Sequence, residues 1–405
     1  MAGCIWFRLG VALALLFALP AAAQTPQPTL EELKQEIARR AEHNLDPLTG
    51  LKPADVYAAL AKIKSLDRDD WAAAWSAIAE TYAARAKAAE AKHQQKLAHD
   101  EAVMAWRLYS FARWPVANSP GKAKAYRAAL EAYRAAARFL DPPLEIVHIP
   151  FAGKQIVGYL RLPKRGRPVA LVLTIGGLAS RKEDMAEEGA AFIRHGIGYL
   201  ALDMPGTGEA PIKADVGAEK MFSAALDYLA KRPEIDRRSI ILRGLGWSGY
   251  WAAKLAITER PRVKGAVVQG APIHFFFQPD WQKKSLASDA LFDLFPARAA
   301  VFGVNSLDDF LPYGTRMSLQ DEGLIDKPAA PMLLVNGEKD GQVPIWDLDL
   351  MLHNGSVKEA WVNPNGGHDG VSPDWPAINI FDLVVLPWIL KRAEPEPAKL
   401  TAAGG

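Results

Sequence analysis

The stretch SIILRGLGWSGYWAAKLA, residues 239–256, decides the fold of this chain. It begins with a β-branched apolar run that is typical of a buried strand, passes through three glycines, and ends in an Ala-rich pattern that is typical of a helix. A strand, a tight turn and a helix in this order can present a catalytic serine at the turn. The stretch therefore raises the question of whether Ser248 is a nucleophile.

The spacing of the small residues indicates where the apex of this turn lies. In the motif G-x-S-x-G, the residues two before and two after the nucleophile are small, because strand and helix approach closely there. With Ser248 at the centre, the later position is the bulky Tyr250. With Gly246 at the centre, the two flanking positions are Gly244 and Ser248, which are both small. The sequence therefore predicts Gly246 at the apex, with a positive φ, and a helix that begins by about Ser248.

On both sides of this stretch, short apolar runs alternate with helical segments. Continuous apolar runs between helices are typical of parallel strands that are buried on both faces. Residues 144–393 are therefore predicted to form an α/β core with a mostly parallel, doubly wound sheet. The first two strands of this core are predicted to form a hairpin around Ala152 and Gly153. The other strand-like runs are VALVLTIGG, IGYLALDMPG, SIILRGL, VKGAVVQGAP, PMLLVNGEKD and KEAWVNPNGGH.

Residues 25–140 have a different composition, rich in Ala, Glu, Lys and Arg, with aromatic residues at helical spacing. This pattern predicts several packed amphipathic helices, which the prolines of the Asp-Pro-Pro segment at 141–143 bring to an end. The core has no long insertion of its own, so we expect the helical region to cover the carboxyl ends of the strands as a lid. Helices between Ser285 and Asp326 are expected to contribute to it. The tail, residues 394–405, is predicted to be disordered.

The first residues have the pattern of a secretory signal. Arg8 precedes an apolar run from Val11 to Leu19, and three alanines end at Ala23. We interpret residues 1–23 as a cleaved signal peptide of a secreted or periplasmic protein, because the apolar run is short for a membrane span. An uncleaved N-terminal anchor is the alternative. Cys4 is the only cysteine, so a processed chain would have no disulfide, no thiolate metal site and no cysteine nucleophile.

Composition and charge exclude some classes of partner. The 405 residues are 50% hydrophobic and 23% charged, which is enough to bury a large core. A formal net charge of +2, spread over both signs, provides no basic stripe for nucleic acid. A small-molecule substrate fits better, and the oligomeric state stays open, with a dimer as one option. The sequence has no metal-ligand spacing and no phosphate-binding glycine motif, so no cofactor is expected.

Two polar residues directly follow late strands of the predicted sheet. Asp340 follows the run that ends at Val335, and His368 follows the next strand, 28 residues later. An acid followed by a histidine is the order in which some hydrolases supply the two supporting members of a catalytic triad. The imidazole would act as base and the carboxylate would hold its tautomer. Taken singly, Asp340 could be only a turn former and His368 only a loop residue.

Other residues near the strand ends are candidates for supporting roles. Backbone N–H groups after an early strand and at the start of the helix are expected to stabilise an oxyanion. The substrate pocket is expected to be aromatic, although ordinary core packing would also explain the same side chains. The candidates are Gly177, Leu178, Trp247 and Gly249 for the oxyanion hole, and Trp247, His274 and Phe275 for the pocket.

Several motifs together resemble the fermentation-respiration switch esterase family, which groups with the dihydroxypseudooxynicotine hydrolases. They are DPPLEIVHIPFAGKQIVGYLRLP, GGLASRKED, LDMPGTGEA, ERPRVKGAVVQGAPIH and SLQDEGLIDKPAAPMLLVNGEKD, within residues 60–392. The resemblance implies an α/β-hydrolase fold with a helical lid domain, and cleavage of esters or of the carbon-carbon bond beside a ketone. It also implies that Asp340 and His368 are the acid and the base. The family motif is roughly G-x-S-x-G-G-Y, so its serine falls on Gly246, and members of the family can lack that serine.

Three interpretations of the site remain open at this point, and we favour the first because Asp340 and His368 are both retained. In the first, the protein is an exported hydrolase in which Ser248 attacks, His368 is the base and Asp340 orients it. In the second, it is a degenerate hydrolase that binds a small molecule or a protein, and Ser248 only fills a packing position. In the third, His368 and Asp340 activate water directly, and Gly246 leaves room for the substrate.

Overall fold

The N-terminal helical region contains five helices in a computed structural model that describes residues 28–285 and 293–394. The predicted signal peptide, with Cys4, and the tail from residue 395 onward lie outside the described residues. The helices are α1 (Leu30–Glu42), α2 (Pro53–Leu60), α3 (Arg68–Ala91), α4 (Gln95–Ala112) and α5 (Pro120–Ala137).

These helices begin at residues that satisfy their first N–H groups. Thr29 forms a capping box with Glu32 at the start of α1, and Asp67 accepts hydrogen bonds from two N–H groups at the start of α3. Aromatic side chains then join the helices to one another. Trp71 and Trp75 of α3 pack edge-on against Phe111 of α4, with ring centroids 5.0 and 4.5 Å away. The buried side chains of the helical region belong to one apolar cluster with those on one face of the sheet, such as Tyr159 and Val172.

The predicted α/β core is confirmed as an eight-stranded sheet with the order β1-β2-β4-β3-β5-β6-β7-β8. The first two strands pair antiparallel through the predicted hairpin, and β2 pairs antiparallel with β4; all other pairs are parallel. The strands are β1 (Glu145–Phe151), β2 (Lys154–Arg161), β3 (Val169–Gly176), β4 (Gly198–Asp203), β5 (Ile235–Leu245), β6 (Gly265–Gln269), β7 (Met332–Gly337) and β8 (Glu359–Asn363).

Helices cover both faces of this sheet, which explains the continuous apolar runs. Every residue of β4, β6 and β7 is buried. The helices are α6 (Ala186–Arg194), α7 (Lys220–Leu229), α8 (Trp247–Thr258), α9 (Pro279–Ser285), α10 (Leu294–Phe302), α11 (Leu307–Arg316), α12 (Ile345–His353), α13 (Ala377–Ile380) and α14 (Leu386–Ala393). Over the described ranges, no helix is both long enough and apolar enough to cross a membrane.

The helical region lies over segments that follow the carboxyl ends of strands, as expected for a lid. Arg113, at the end of α4, forms an ion pair of 3.1 Å with Asp184, in the segment after β3. Arg181, in the same segment, donates a hydrogen bond of 3.1 Å to the Pro115 carbonyl. The lid also extends along the sheet, because Tyr133 of α5 stacks on Tyr159 of β2, with centroids 5.3 Å apart.

A buried carboxylate joins the lid to α10. Asp293, the residue before α10, accepts hydrogen bonds from Arg68, Asn118 and Lys122 at 2.8, 2.8 and 2.9 Å. The side chains of Asp293 and Lys122 are only 5% and 0% exposed. Burial alone would raise the pKa of Asp293, but the hydrogen bond from Arg68 and the charge of Lys122 outweigh it and lower that pKa. Three lid side chains therefore hold one carboxylate of the core.

We expect Asp293→Asn to lower the free energy of unfolding by about 3 kcal/mol, because it removes the buried carboxylate that faces Lys122. The measurement is urea unfolding. Asp326→Asn, at an exposed acid, is the control and should change that free energy by less than about 0.5 kcal/mol. Equal effects of the two substitutions would contradict the importance of the Asp293 cluster.

Candidate active site

The turn between β5 and α8 has the geometry of a nucleophile elbow. Strand β5 ends at Leu245, α8 begins at Trp247, and Gly246 lies between them with φ +58° and ψ −130°. The prediction of a positive φ at Gly246 is confirmed, as is the helix start close to Ser248. This is the conformation in which a turn residue projects away from both elements.

Two of the three glycines in the turn are required by close packing. A Cβ on Gly244 would clash with the carbonyl of Ser248, and a Cβ on Gly249 would lie 2.7 Å from the Cβ of Ala271. The third glycine is different. A Cβ on Gly246 would lie 3.4 Å from His368 Nε2, with no other described atom within 4 Å outside its chain neighbours. Position 246 therefore faces the histidine and has room for a side chain.

The hydroxyl of Ser248 does not lie at His368, where the first interpretation requires it. This hydroxyl is buried, donates a hydrogen bond of 2.8 Å to the Leu245 carbonyl and accepts one of 2.8 Å from the Leu245 N–H. These bonds tie the side chain to the end of β5. Among the described side chains, the groups at hydrogen-bond or ion-pair distance from the His368 ring are the carboxylates of Asp340 and Asp369 alone. The prediction of Ser248 as the residue that faces His368 is therefore wrong.

The predicted contact between Asp340 and His368 is present. His368 Nδ1 lies 2.8 Å from Oδ2 of Asp340, whose side chain is fully buried, while the imidazole is 22% exposed. The other oxygen of Asp340 accepts from the N–H groups of Gln342 and Val343, at 2.8 and 3.0 Å. Asn336, at the end of β7, donates to Oδ2. The carboxylate is thus fixed by three further donors and holds the ring with Nε2 toward Gly246.

The charges around His368 favour its protonated form. Burial alone would lower the pKa of His368, but the negative charges of Asp340 and Asp369 outweigh it and raise that pKa to about 9. Burial alone would raise the pKa of Asp340. The charge of His368 and the hydrogen bond from its ring outweigh burial and lower that pKa below its ordinary value. His368 is therefore mostly protonated at neutral pH.

Asp369 is a site residue that the sequence reasoning missed. Its Oδ2 lies 3.6 Å from His368 Nε2, on the side that faces away from Asp340. The residue has φ +62°, and the absent side chain of Gly270 leaves the space that its carboxylate occupies. Its Oδ1 is buried and has no hydrogen-bond partner among the described residues, and burial raises its pKa to about 6. An acid next to His368 in the segment GGHDG was the available signal.

The predicted oxyanion donors divide into two groups. The N–H of Gly177 donates to Ser180 Oγ at 2.8 Å, and the N–H of Gly249 donates to the Gly246 carbonyl at 2.9 Å. Both are occupied, so these two predictions are wrong. The N–H of Leu178 has no acceptor in the described part of the chain, and Trp247, as the first residue of α8, has none within its helix. Leu178 and Trp247 are the remaining candidates.

The aromatic pocket is arranged differently from the prediction. Trp247 lies at the elbow, but its ring contacts Phe276 and Phe277, at centroid distances of 5.5 and 6.1 Å. His274 instead hydrogen-bonds Ser318 Oγ at 2.7 Å. Phe275 packs edge-on against Trp346 of α12, 6.0 Å away. His274 and Phe275 are therefore directed to other partners than Trp247.

Asp347 of α12 explains this arrangement, and no pattern in the sequence indicated it. Its fully buried carboxylate accepts hydrogen bonds of 2.7 to 3.1 Å from the backbone N–H groups of residues 273–276. Burial raises the pKa of Asp347 to about 6, although the four N–H donors favour its charged form. The segment after β6 is thereby held in one conformation. Within 28–285 and 293–394, no cluster of three or more His, Cys, Asp or Glu side chains is arranged for a metal ion.

Comparisons with known proteins identify the family of this chain. A family model described as Esterase FrsA-like matches residues 61–360. The chain is 28% identical to Esterase FrsA of Vibrio cholerae serotype O1 over 291 residues, which is 70% of this chain and 68% of that protein. It is 26% identical to Esterase FrsA of Vibrio vulnificus over 356 residues, 81% of this chain and 83% of that protein.

Solved structures share the fold. The structure of a 2,6-dihydroxy-pseudo-oxynicotine hydrolase aligns with a TM-score of 0.72 and 22% identity, covering 85% of this chain and 93% of that one. The protein AbyA5 aligns with a TM-score of 0.68 and 22% identity, covering 90% and 95%. At this identity the likeness establishes the fold, an α/β-hydrolase core with an N-terminal helical region.

Proposed function

Since the chain belongs to the FrsA-like esterase family and is an enzyme with the α/β-hydrolase fold, we propose that it hydrolyses carboxylic esters with water as the nucleophile. One observation carries this proposal. Gly246 leaves space directly in front of His368 Nε2, while the contact between Asp340 and His368 is intact at 2.8 Å. A water molecule in that space would stand where the serine hydroxyl of a triad stands.

The reaction needs the neutral form of His368. Nε2 accepts a proton from the water as the water oxygen attacks the ester carbonyl carbon. The resulting oxyanion is stabilised by the N–H groups of Leu178 and Trp247. When the tetrahedral intermediate collapses, the imidazolium gives its proton to the departing alcohol oxygen, and the products are a carboxylic acid and an alcohol. Asp340 holds the tautomer and stabilises the imidazolium throughout.

We propose an apolar or aromatic acyl group for the ester, because the side chains of Trp247 and Phe276 next to the elbow are aromatic. Cleavage of a carbon-carbon bond beside a ketone would use the same attack by water. That reaction must expel a carbanion, which is a much poorer leaving group than an alkoxide or phenoxide. Ester hydrolysis therefore needs less stabilisation of the leaving group than carbon-carbon cleavage does. We favour it for a site without a covalent nucleophile.

A binding function without catalysis is the second candidate. Two observations favour it: position 246 has no nucleophile, and His368 is mostly protonated at neutral pH. In that case the pocket would hold a ligand against the imidazolium, and His368→Ala would weaken binding with no turnover to lose.

We also propose that the protein is exported. The pattern of residues 1–23 supports this, with the short apolar run that precedes Ala21, Ala22 and Ala23. Processing after Ala23 would give a mature chain that begins at Gln24. N-terminal sequencing of the protein from the periplasm or the medium tests this, and an intact Met1 would contradict it.

We expect Gly246→Ser to create a serine that a fluorophosphonate probe labels, because its Cβ would stand 3.4 Å from His368 Nε2. The positive φ makes this substitution cost about 1–3 kcal/mol, a strain that nucleophile elbows normally carry. The wild type should stay unlabelled. Ser248→Ala is the matched control and should leave labelling and ester hydrolysis as they are. Labelling of the wild type that Ser248→Ala abolishes would show that Ser248 attacks after all.

The pH dependence of hydrolysis tests the role of His368. Because only the neutral imidazole is a base and its pKa is about 9, kcat/KM should rise with pH and level off near 9. His368→Ala should abolish the activity. Asp369→Asn removes a negative charge beside Nε2, lowers the pKa of His368 and should move the rise to lower pH. Asp374→Asn, at an exposed acid five residues further along the chain, is the control. Loss of activity at every pH in Asp369→Asn would instead make Asp369 the base.

A further inference from the structure

Arg298 of α10 is a buried guanidinium close to the proposed active site. The residue is 2% exposed. Its Nη1 donates hydrogen bonds of 3.0 Å to Gln282 Oε1 and 2.6 Å to Ser285 Oγ, both on α9. These two bonds orient the planar guanidinium. Neither of them uses Nε or Nη2, which form its other edge.

That edge of Arg298 has no partner in the described part of the chain. Its Nε is buried without a hydrogen-bond acceptor, no acceptor is found for Nη2, and no described carboxylate lies within 4.0 Å of the group. A buried charge without compensation is costly. Of the seven other buried basic side chains, Arg161 and Arg181 donate to backbone carbonyls instead, and the remaining five each have a carboxylate within 3.1 Å. They are Arg113, Lys122, Lys182, Arg243 and Lys254.

Aromatic contacts connect Arg298 to the elbow. The guanidinium lies over the ring of Phe276, 5.0 Å from its centroid. The ring of Phe276 packs against Trp247, the residue that follows Gly246. Arg298 also interacts electrostatically with His368 and Asp340. Its charge opposes protonation of His368, and the charge of Asp340 favours the protonated form of Arg298. Burial lowers the pKa of Arg298 to about 10, so it is still charged at neutral pH.

We propose that Arg298 binds a carboxylate of the substrate, so that the preferred esters are half-esters of dicarboxylic acids. This inference rests on the proposed ester hydrolysis and adds the substrate class to it. The Nε and Nη2 groups of one guanidinium form two parallel donors, which match the two oxygens of a carboxylate. The ester carbonyl of the same molecule would then lie at Gly246, in front of His368.

The local charges favour a monoanionic group over a phosphate dianion. Arg298 is a single cation, and the carboxylates of Asp340 and Asp369 lie at the two ring nitrogens of His368. A dianion would meet more repulsion from these two carboxylates than one guanidinium offsets.

Binding of non-hydrolysable half-amides tests the proposal without any need for turnover. Succinamate, glutaramate and adipamate each carry one carboxylate, and the corresponding diamides are their neutral matched controls. Isothermal calorimetry at pH 7 should show that at least one half-amide binds at least about 10-fold more tightly than its diamide, since a charge-assisted pair is the strong kind of hydrogen bond. Arg298→Gln should reduce the affinity for that half-amide to the affinity for the diamide. Arg298→Lys should restore part of the difference between the two affinities.

Arg316→Gln is the charge-matched control, because Arg316 lies on the neighbouring α11 and its side chain is 53% exposed. It should leave the affinity for the half-amide unchanged. Equal affinities for half-amide and diamide in the wild type, or no measurable binding of any of the three half-amides, would overturn the proposal. So would undiminished binding in an Arg298→Gln variant whose unfolding curve matches that of the wild type.

Hydrolysis of a matched pair of esters separates this proposal from the proposed function. The pair is 4-nitrophenyl hemiglutarate and its methyl-capped neutral counterpart. Arg298→Gln should lower the ratio of kcat/KM for the hemiglutarate to kcat/KM for the neutral ester by about 10- to 100-fold, because any change in the pKa of His368 affects both esters alike. If half-amides bind through Arg298 and neither ester is hydrolysed, the carboxylate site stands and ester hydrolysis falls. If both esters are hydrolysed equally well and no half-amide binds, ester hydrolysis stands and the carboxylate site falls.

Discussion

The close approach of β5 and α8 is the constraint on which the site depends. Gly244 and Gly249 have no room for a side chain, and the reversal of the chain between the two elements requires the positive φ of Gly246. The hydroxyl of Ser248 then closes the turn by bonding both backbone groups of Leu245. The backbone therefore determines which position faces His368, whatever residue occupies it. This is why a serine two positions along cannot replace one at the apex.

The carboxylate of Asp369 changes the electrostatics of the histidine. In a complete triad a neutral hydroxyl stands at Nε2, and the charge of the imidazole is balanced by one carboxylate. Here Asp369 stands 3.6 Å from Nε2, and Asp340 stands 2.8 Å from Nδ1. Two carboxylates stabilise the imidazolium more than one does, so the site is better prepared to hold an anion or to act as an acid than to take up a proton at neutral pH. Arg298 partly opposes this through its own positive charge.

The sequence predicted what depends on periodicity and on the order of the strands. It predicted the parallel sheet, the apex at Gly246 and the meeting of Asp340 with His368, because residues after parallel strands come together at one edge. It could not predict which backbone N–H groups are already occupied, since the bond from Gly177 to Ser180 depends on loop geometry. It also could not predict the cap that Asp347 places on residues 273–276, because that contact joins segments about 70 residues apart.

The lid and Arg298 are linked through α10. Asp293, held by Arg68, Asn118 and Lys122 of the helical region, immediately precedes this helix, and its carbonyl accepts a hydrogen bond from the N–H of Ala297. Arg298 is the next residue. A helix of nine residues is short, so an anchor at its first turn sets the position of every side chain on it. Docking of the lid on Asp293 therefore also positions the guanidinium of Arg298. The buried cluster between lid and core serves the geometry of the site as well as the stability of the fold.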